Sequence, residues 1–427
     1  MNNAAIIAKV DKIIQIEGAN TIQEMVVLGE HIVGSKDWKE GGIGIFFPVN
    51  VQLSHDFCRH NNLYRDSTKN VDSGETGFFE DNRRVRAQPF MKVRSSGLFM
   101  PLSSLDYLGA DKSSFSLGFS FNDLEGQNVC QKYYVEKPKQ QGIPGVKKAK
   151  MQDFPSFDKH VDTLQFLHNL QRIEKGSLIT ISAKAHGTSW RVGKKKRNLI
   201  LPKWKELVNR VFPIFPEQSG FELVVGTRNV IVDNEEKVGF HGSEHFRVEM
   251  ANQIAPYLED GMTAYGELYG MVNGKPVMPP HDVSCMKDKA YLKKYGKTVN
   301  FTYGCGPDEY RWFVYRITRE DVNGNNIDMT NAEMKRWCEE RNIPSTTEVC
   351  DPFIYDGNPE ALQQKVIDLS ERGDLLAECY INPTQWGEGV VLRVENGTMT
   401  PDFYKYKNYC FRAGESLVEV PDMEDMS

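Results

Sequence analysis

The sequence predicts an α+β protein: a small β-barrel first, then a larger body of antiparallel sheets flanked by helices. Three observations predict it. The first 120 or so residues break into short alternating runs separated by Gly-rich turns, the pattern of a small closed barrel. From 176 to 411, strand-like and helix-like runs alternate with no internal repeat. The length, 427 residues, exceeds one compact core, while 40% hydrophobic and 11% aromatic residues describe an ordinary folded chain.

Along the chain, "EMVVLGEHIVG" (24–34), "GIGIFFPVNVQLS" (42–54) and "MKVRSSGLFMPLSSL" (91–105) read as strands. Between them lies a polar stretch, "RHNNLYRDSTKNVDSGETGFF", that is hard to bury. Residues 1–130 are expected to form an OB-type barrel, a class that binds nucleic acid through a strand face and its loops. Residues 131–156, rich in Pro, Gly, Gln and Lys, are expected to be a linker. Then "HVDTLQFLHNLQRI" has helical spacing, with Asp162 as N-cap and Gln165 completing a capping-box pair. Residues 157–427 form the second domain, where "LPKWKELVNRVF", "NAEMKRWCEERN" and "PEALQQKVIDLSER" read as helices among strands.

Charge and cysteines narrow the class. The net charge is −6, yet "NRRVR" (82–86), "MKVR" (91–94), "KKAK" (147–150) and "RVGKKKR" (191–197) are basic clusters suited to a phosphate-binding face. No apolar run is long enough to cross a bilayer, and the N-terminus lacks signal-peptide architecture. The eight cysteines show no C-x-x-C and no zinc spacing, as in a cytoplasmic protein with reduced thiols.

Five stretches at strand ends carry chemistry. In "SAKAHGTSWR", Lys184 ends a half-buried strand, where lost hydration favours the neutral, nucleophilic amine. Gly187 lets backbone approach a phosphate, and Thr188 or Ser189 can donate to it. In "VVGTRN", Arg228 offers a planar donor for a phosphate or ribose. "AYGELYG" sets Glu267 between glycines, and "EGVVLR" opens a buried strand with Glu388, which is costly without a cation. In "FYKYKN", Lys405 and Lys407 share one strand face and call for an anion between them. In "RWFVYRIT", Phe313 and Tyr315 share a face that can stack on a base.

In order, "KAHGTS", "GTRN", "GELYG", "WFVYRI", "EGVVLR" and "KYK" resemble the motifs of the covalent nucleotidyltransferase superfamily of polynucleotide ligases and capping enzymes. "K-x-H-G-T-S" with "G-T-R-N" is similar to the RNA ligase branch. "RRVRAQPFMKVRSSGLFMPLS" is like the basic strand pair of the group with an N-terminal OB domain. The resemblance implies an ATP-dependent ligase that joins 3′-OH and 5′-phosphate RNA ends, with Mg²⁺ or Mn²⁺, as a monomer. By it, Lys184 takes AMP, Tyr315 stacks on adenine, and Arg228 and Glu267 lie around the ribose and the RNA end. Glu388, with Glu267 and His186, is expected at the hydrated metal. Lys405 and Lys407 are expected on the α-phosphate and pyrophosphate. Arg84, Arg86, Lys92, Arg94 and Lys195 are expected on RNA.

The chain departs from the family at Ala183, where Glu often precedes the lysine and reads the adenine amine; Gln165 is the expected substitute. Tyr315-Arg316 stands where Phe-Asp is common, and Ser189 where DNA-type ligases carry Arg. The alternatives are a GTP-using capping enzyme and an ATP-dependent DNA ligase, the latter disfavoured because little chain follows "KYK".

Overall fold

The computed structural model describes residues 3–91, 93–134, 151–232, 238–239, 242–243, 245–286 and 289–417. It is a mixed α/β molecule of antiparallel sheets and flanking helices, as expected.

In the N-terminal portion, Ser120–Phe121, Ala5–Lys9, Ile43–Phe47 and Leu98–Pro101 form one antiparallel sheet in that order. Among the described residues its two outer strands do not pair, so this sheet is open where the sequence predicts a closed barrel. Ile7, Ile45, Phe47, Phe57 and Leu105 are fully buried beneath it. The run 24–34 is not one strand but a hairpin. Ile22–Val27 turns through Leu28 (φ 50°) and Gly29 (φ 73°) into Glu30–Ser35, a two-residue turn whose positive φ values match the strand twist. The polar stretch after it is partly buried. Asn70 satisfies Tyr64 by accepting from its N–H (3.0 Å) and donating to its carbonyl (3.0 Å), so the amide replaces water.

The expected helix over 160–173 is replaced by a two-residue strand, Leu164–Gln165, and a 3₁₀ turn, Leu167–Arg172. Leu164 and Gln165 pair in parallel with Tyr404 and Lys405, and the Phe166 N–H donates to the Lys405 carbonyl (2.9 Å). A sheet edge takes the backbone groups that a helix would have used. Asp162 is not a cap; it holds Arg228. The other three expected helices form, as Lys203–Asn209, Asn331–Glu339 and Pro359–Ser370. Asn331–Glu339 begins with a full capping box between Thr330 and Glu333.

Two sheets position the site. A five-stranded sheet runs Leu164–Gln165, Asp402–Lys407, Gly389–Glu395, Leu178–Lys184, Phe353–Ile354. A larger sheet runs Ile231–Val232, Gln218–Gly226, Thr188–Asn198, Thr263–Val272, Tyr310–Glu320, Asn326–Asp328. In the first, alternation sends Ile179, Ile181, Val390, Leu392, Tyr404 and Tyr406 into a core with Leu362 and Val366 of a flanking helix. The opposite face, with Thr180, Ser182, Lys184, Lys405 and Lys407, lines a cavity.

The chain passes between the sheets in three residues, from Lys184 to Thr188. A Cβ on Gly187 would lie 2.4 Å from the Leu268 carbonyl oxygen. Gly187 is therefore required by the neighbouring strand, a different reason from the phosphate approach expected of it. A nine-residue helix, Tyr409–Leu417, which sequence reading missed, follows the last strand.

Candidate functional site

A cavity of about 820 Å³ lies between the two sheets. Lys184, Arg228, Glu267, Tyr315, Lys405 and Lys407 all line it, with Gln165 and Ala183. Strand register explains the convergence. Lys184 and Lys407 both pair with Gly389, one on each side, and Ser182 and Lys405 both pair with Val391. Gly389 has φ 147°, and a Cβ there would meet the Tyr406 carbonyl oxygen at 2.0 Å, so the central strand brings the two lysine strands together only with glycine. On the larger sheet, Ser189, Glu267 and Phe313 sit in register.

Glu388 is 1% exposed and stands behind the cavity wall. Lys184 Nζ lies 2.9 Å from its Oε2, and Lys407 Nζ lies 3.3 Å from its Oε1. One buried carboxylate thus holds two cations, which is how such a group is tolerated. Glu415, on the C-terminal helix, takes the other side of Lys407 at 2.9 Å. Burial alone would raise the Glu415 carboxyl, but the Lys407 ammonium more than reverses this and holds it down at about 2. Asn50 donates to Glu415 (3.2 Å) and Arg84 donates to the Glu415 carbonyl (3.0 Å), tying the N-terminal portion to this edge of the site.

His186 lies beneath, its Nδ1 3.8 Å from Glu388 and its ring edge-on to Phe301 and Phe411. Burial keeps its imidazole pKa low, so the ring is neutral and able to coordinate. Its backbone N–H donates to the Tyr303 hydroxyl (2.7 Å). Glu267 accepts from Ser189 Oγ (3.3 Å) and is buried. Arg228 is held by Asp162 (2.8 Å), and the Tyr315 hydroxyl by His160. Nothing in the sequence pattern singled out Glu415, His160 or Tyr303. The only signal for Glu415 was a carboxylate shortly after "KYK".

Glu388 is the carboxylate of this site best placed to face a cation. Both Glu388 oxygens already face positive charge. Among the described residues no three His, Cys, Asp or Glu side chains close into a metal cage. One or two carboxylates with the remaining ligands from water and phosphate is the manner in which Mg²⁺ is bound.

The basic runs fare differently. Arg84 is buried, its guanidinium bonded to Asn50 and stacked on Tyr133, and is not an RNA contact. Lys195 is 0% exposed and bonded to the Gly261 carbonyl, Glu320 and Asn326, so it cannot reach RNA either. Arg86 and Arg94 are half-buried, Arg94 over the Tyr409 ring. Lys92 and the cluster 147–150 lie outside the described residues. No described helix is long and apolar enough to cross a membrane.

A strand-end lysine bound to a buried carboxylate lies beside two more lysines on one sheet face that borders an open cavity, an arrangement suited to nucleotidyl transfer. The RNA ligase family model matches residues 178–407, from the lysine strand to Lys407, and the chain belongs to that family. No curated protein matches it in sequence. Among solved structures it is similar to Naegleria gruberi RNA ligase in several forms. An apo variant matches with TM-score 0.60 at 17% identity, over 96% of this chain and 98% of that one. A lysine-to-alanine variant with ATP and Mn gives 0.60 at 16% over the same shares, and the form with PPi gives 0.59 at 17%. At these identities the likeness is one of fold.

Proposed function

We propose that this RNA ligase consumes ATP to join RNA 3′-OH and 5′-phosphate ends through a lysyl-AMP at Lys184, in RNA repair. The observation that carries the reading is the shared carboxylate: Lys184 and Lys407 meet on Glu388 at the edge of one cavity. The Lys184 amine attacks the α-phosphorus of ATP. A P–N bond forms, the P–O bond to pyrophosphate breaks, and the ammonium proton passes to solvent. An RNA 5′-phosphate oxygen then takes the AMP, breaking the P–N bond. Finally the 3′-OH attacks that 5′-phosphate and AMP leaves.

Lys405 and Lys407 neutralise charge on the α-phosphate and on the departing pyrophosphate. Tyr315 and Phe313 supply aromatic faces for adenine, with Gln165 and Ala183 at the same wall and Arg228 and Glu267 toward the ribose. Glu388, with Glu267 and His186, would hold Mg²⁺ or Mn²⁺, which would supply positive charge beside Lys184 and so favour its neutral amine. The Naegleria structures with ATP, Mn and PPi support this choice of nucleotide and metal.

We read residues 1–130 as an OB-type RNA-binding domain, 131–156 as a linker and 157–427 as the nucleotidyltransferase domain, working as a cytoplasmic monomer. The test is incubation with α-³²P-ATP or α-³²P-GTP and Mg²⁺, then denaturing electrophoresis. Label is expected from ATP only and absent in Lys184→Ala. Equal labelling of that variant, or labelling from GTP alone, would refute the assignment.

A further inference from the structure

A second cavity, of about 680 Å³, opens on the far side of the segment 344–348. That segment is stitched between the sheets. The Val314 N–H donates to the Pro344 carbonyl (2.8 Å), and the Ala183 N–H donates to the Thr347 carbonyl (2.8 Å). Its side chains alternate: Thr346 lines the nucleotide cavity, while Ser345 and Thr347 line the second. Ala183 and Phe313 line both. The second cavity thus adjoins the residue next to Lys184.

Its walls suit a flat, aromatic ligand. Tyr257 is 42% exposed, and Trp312 is half-buried with its ring edge-on to Trp190. Tyr310 shares the strand face of Trp312 and continues the aromatic wall, whereas Phe313 points to the opposite face, toward the nucleotide cavity. Gln253 and Asn342 are exposed amides at the rim, where donors and acceptors can read a base edge. Arg311 and Arg341 also line it, each beside a carboxylate, Glu309 (2.7 Å) and Glu340 (3.0 Å), so the cavity is not a simple phosphate trap. Aromatic faces with amides, rather than bare cations, mark a place for a nucleobase.

We propose that this cavity stacks an unpaired base of the RNA strand whose end is at Lys184. The inference rests on the ligase reading above, and its occupant follows from continuity with the nucleotide site. The test uses a 5′-phosphorylated single-stranded RNA carrying 2-aminopurine near its end, bound to the full-length protein. Wild type is expected to quench the probe. Tyr257→Ala and Trp312→Ala are expected to lose the quenching and to raise KM for RNA in strand joining about tenfold, with the rate of lysyl-AMP formation from ATP within twofold of wild type. Trp312→Phe is expected to restore most of the affinity. Unchanged quenching and KM in Tyr257→Ala, with normal lysyl-AMP formation, would overturn the proposal while leaving the ligase reading intact. Tyr257 lies on an exposed turn, so it decides the matter even if Trp312→Ala fails to fold. Absence of lysyl-AMP in wild type would instead sink the ligase reading.

Discussion

Two stripes of positive charge sit on adjoining sheets, and they end up doing opposite things. Lys184, Lys405 and Lys407 lie on the open face of the five-stranded sheet and border an 820 Å³ cavity. Arg191 and Lys195 lie on one face of the strand Thr188–Asn198, and both are 0% exposed. Arg191 donates to the carbonyls of Phe157 (3.2 Å) and Asp158 (2.6 Å), and burial pushes its pKa down to about 10. Asn326 joins Lys195 to Ser156 and Asp158. The second stripe is sealed by chain 151–158 and serves as its anchor. Alternation tells which side chains share a face, but not what covers that face.

The widest break of this comparison is at Lys195. Lys195→Ala should remove a fully buried ammonium from the half-buried Glu320 carboxylate, the Gly261 carbonyl and Asn326, and cost about 3–5 kcal/mol, a fall in Tm of about 10 °C. The salt dependence of RNA binding should stay as in wild type. A variant of normal stability whose salt slope falls by about one would mean that Lys195 touches RNA after all. Next in size is Glu388→Gln. It keeps the shape but removes the charge shared by Lys184 and Lys407, and lysyl-AMP formation should fall on the order of 10²–10³-fold. A rate within threefold of wild type would place the reaction elsewhere.

The difference between the stripes also explains what could be read in advance. The motif residues were legible because their order along the chain encodes register: Lys184 and Lys407 flank Gly389 on adjacent strands. The antiparallel sheets and three of the helices followed from periodicity. The helix over 160–173 did not, because its backbone was claimed by the edge strand ending at Lys407, a partner more than 230 residues away. Arg84 and Lys195 look like surface charges because their partners, Glu415, Glu320 and Asn326, are also far away in sequence. Closure of the N-terminal sheet could not be judged from strand count alone.

A third charged cluster joins the two halves of the chain, and pH probes it. Arg412 donates to both oxygens of Glu30 (2.6 and 2.7 Å), and His168 lies 3.8 Å from the same carboxylate. Burial pushes the His168 pKa down to about 4. Between pH 6.5 and 4 the unfolded chain binds a proton that the folded one does not, so stability falls as pH falls through that window. By pH 4.5 this contributes roughly 2–3 kcal/mol of destabilisation. His168→Gln should flatten that part of the pH–stability curve, measured by urea unfolding from pH 7 to 4.5. An identical curve in the variant would show that the imidazole is solvated.

The smallest effect is expected at Glu415, where the two kinds of charge meet. Its carboxylate belongs to a structural cluster with Asn50 and Arg84, yet it holds Lys407, which borders the cavity. If the open stripe works because its cations are aimed, loosening one should slow transfer without preventing nucleotide binding. Glu415→Gln should lower the rate constant of lysyl-AMP formation about tenfold and leave KM for ATP within about twofold, since the lost aim matters most as charge builds on the leaving pyrophosphate. Glu415→Asp, which keeps the charge, should recover part of that rate. A rise in KM with an unchanged rate constant would instead mean that Lys407 contributes only ground-state binding, and the two stripes would then differ in exposure but not in catalytic demand.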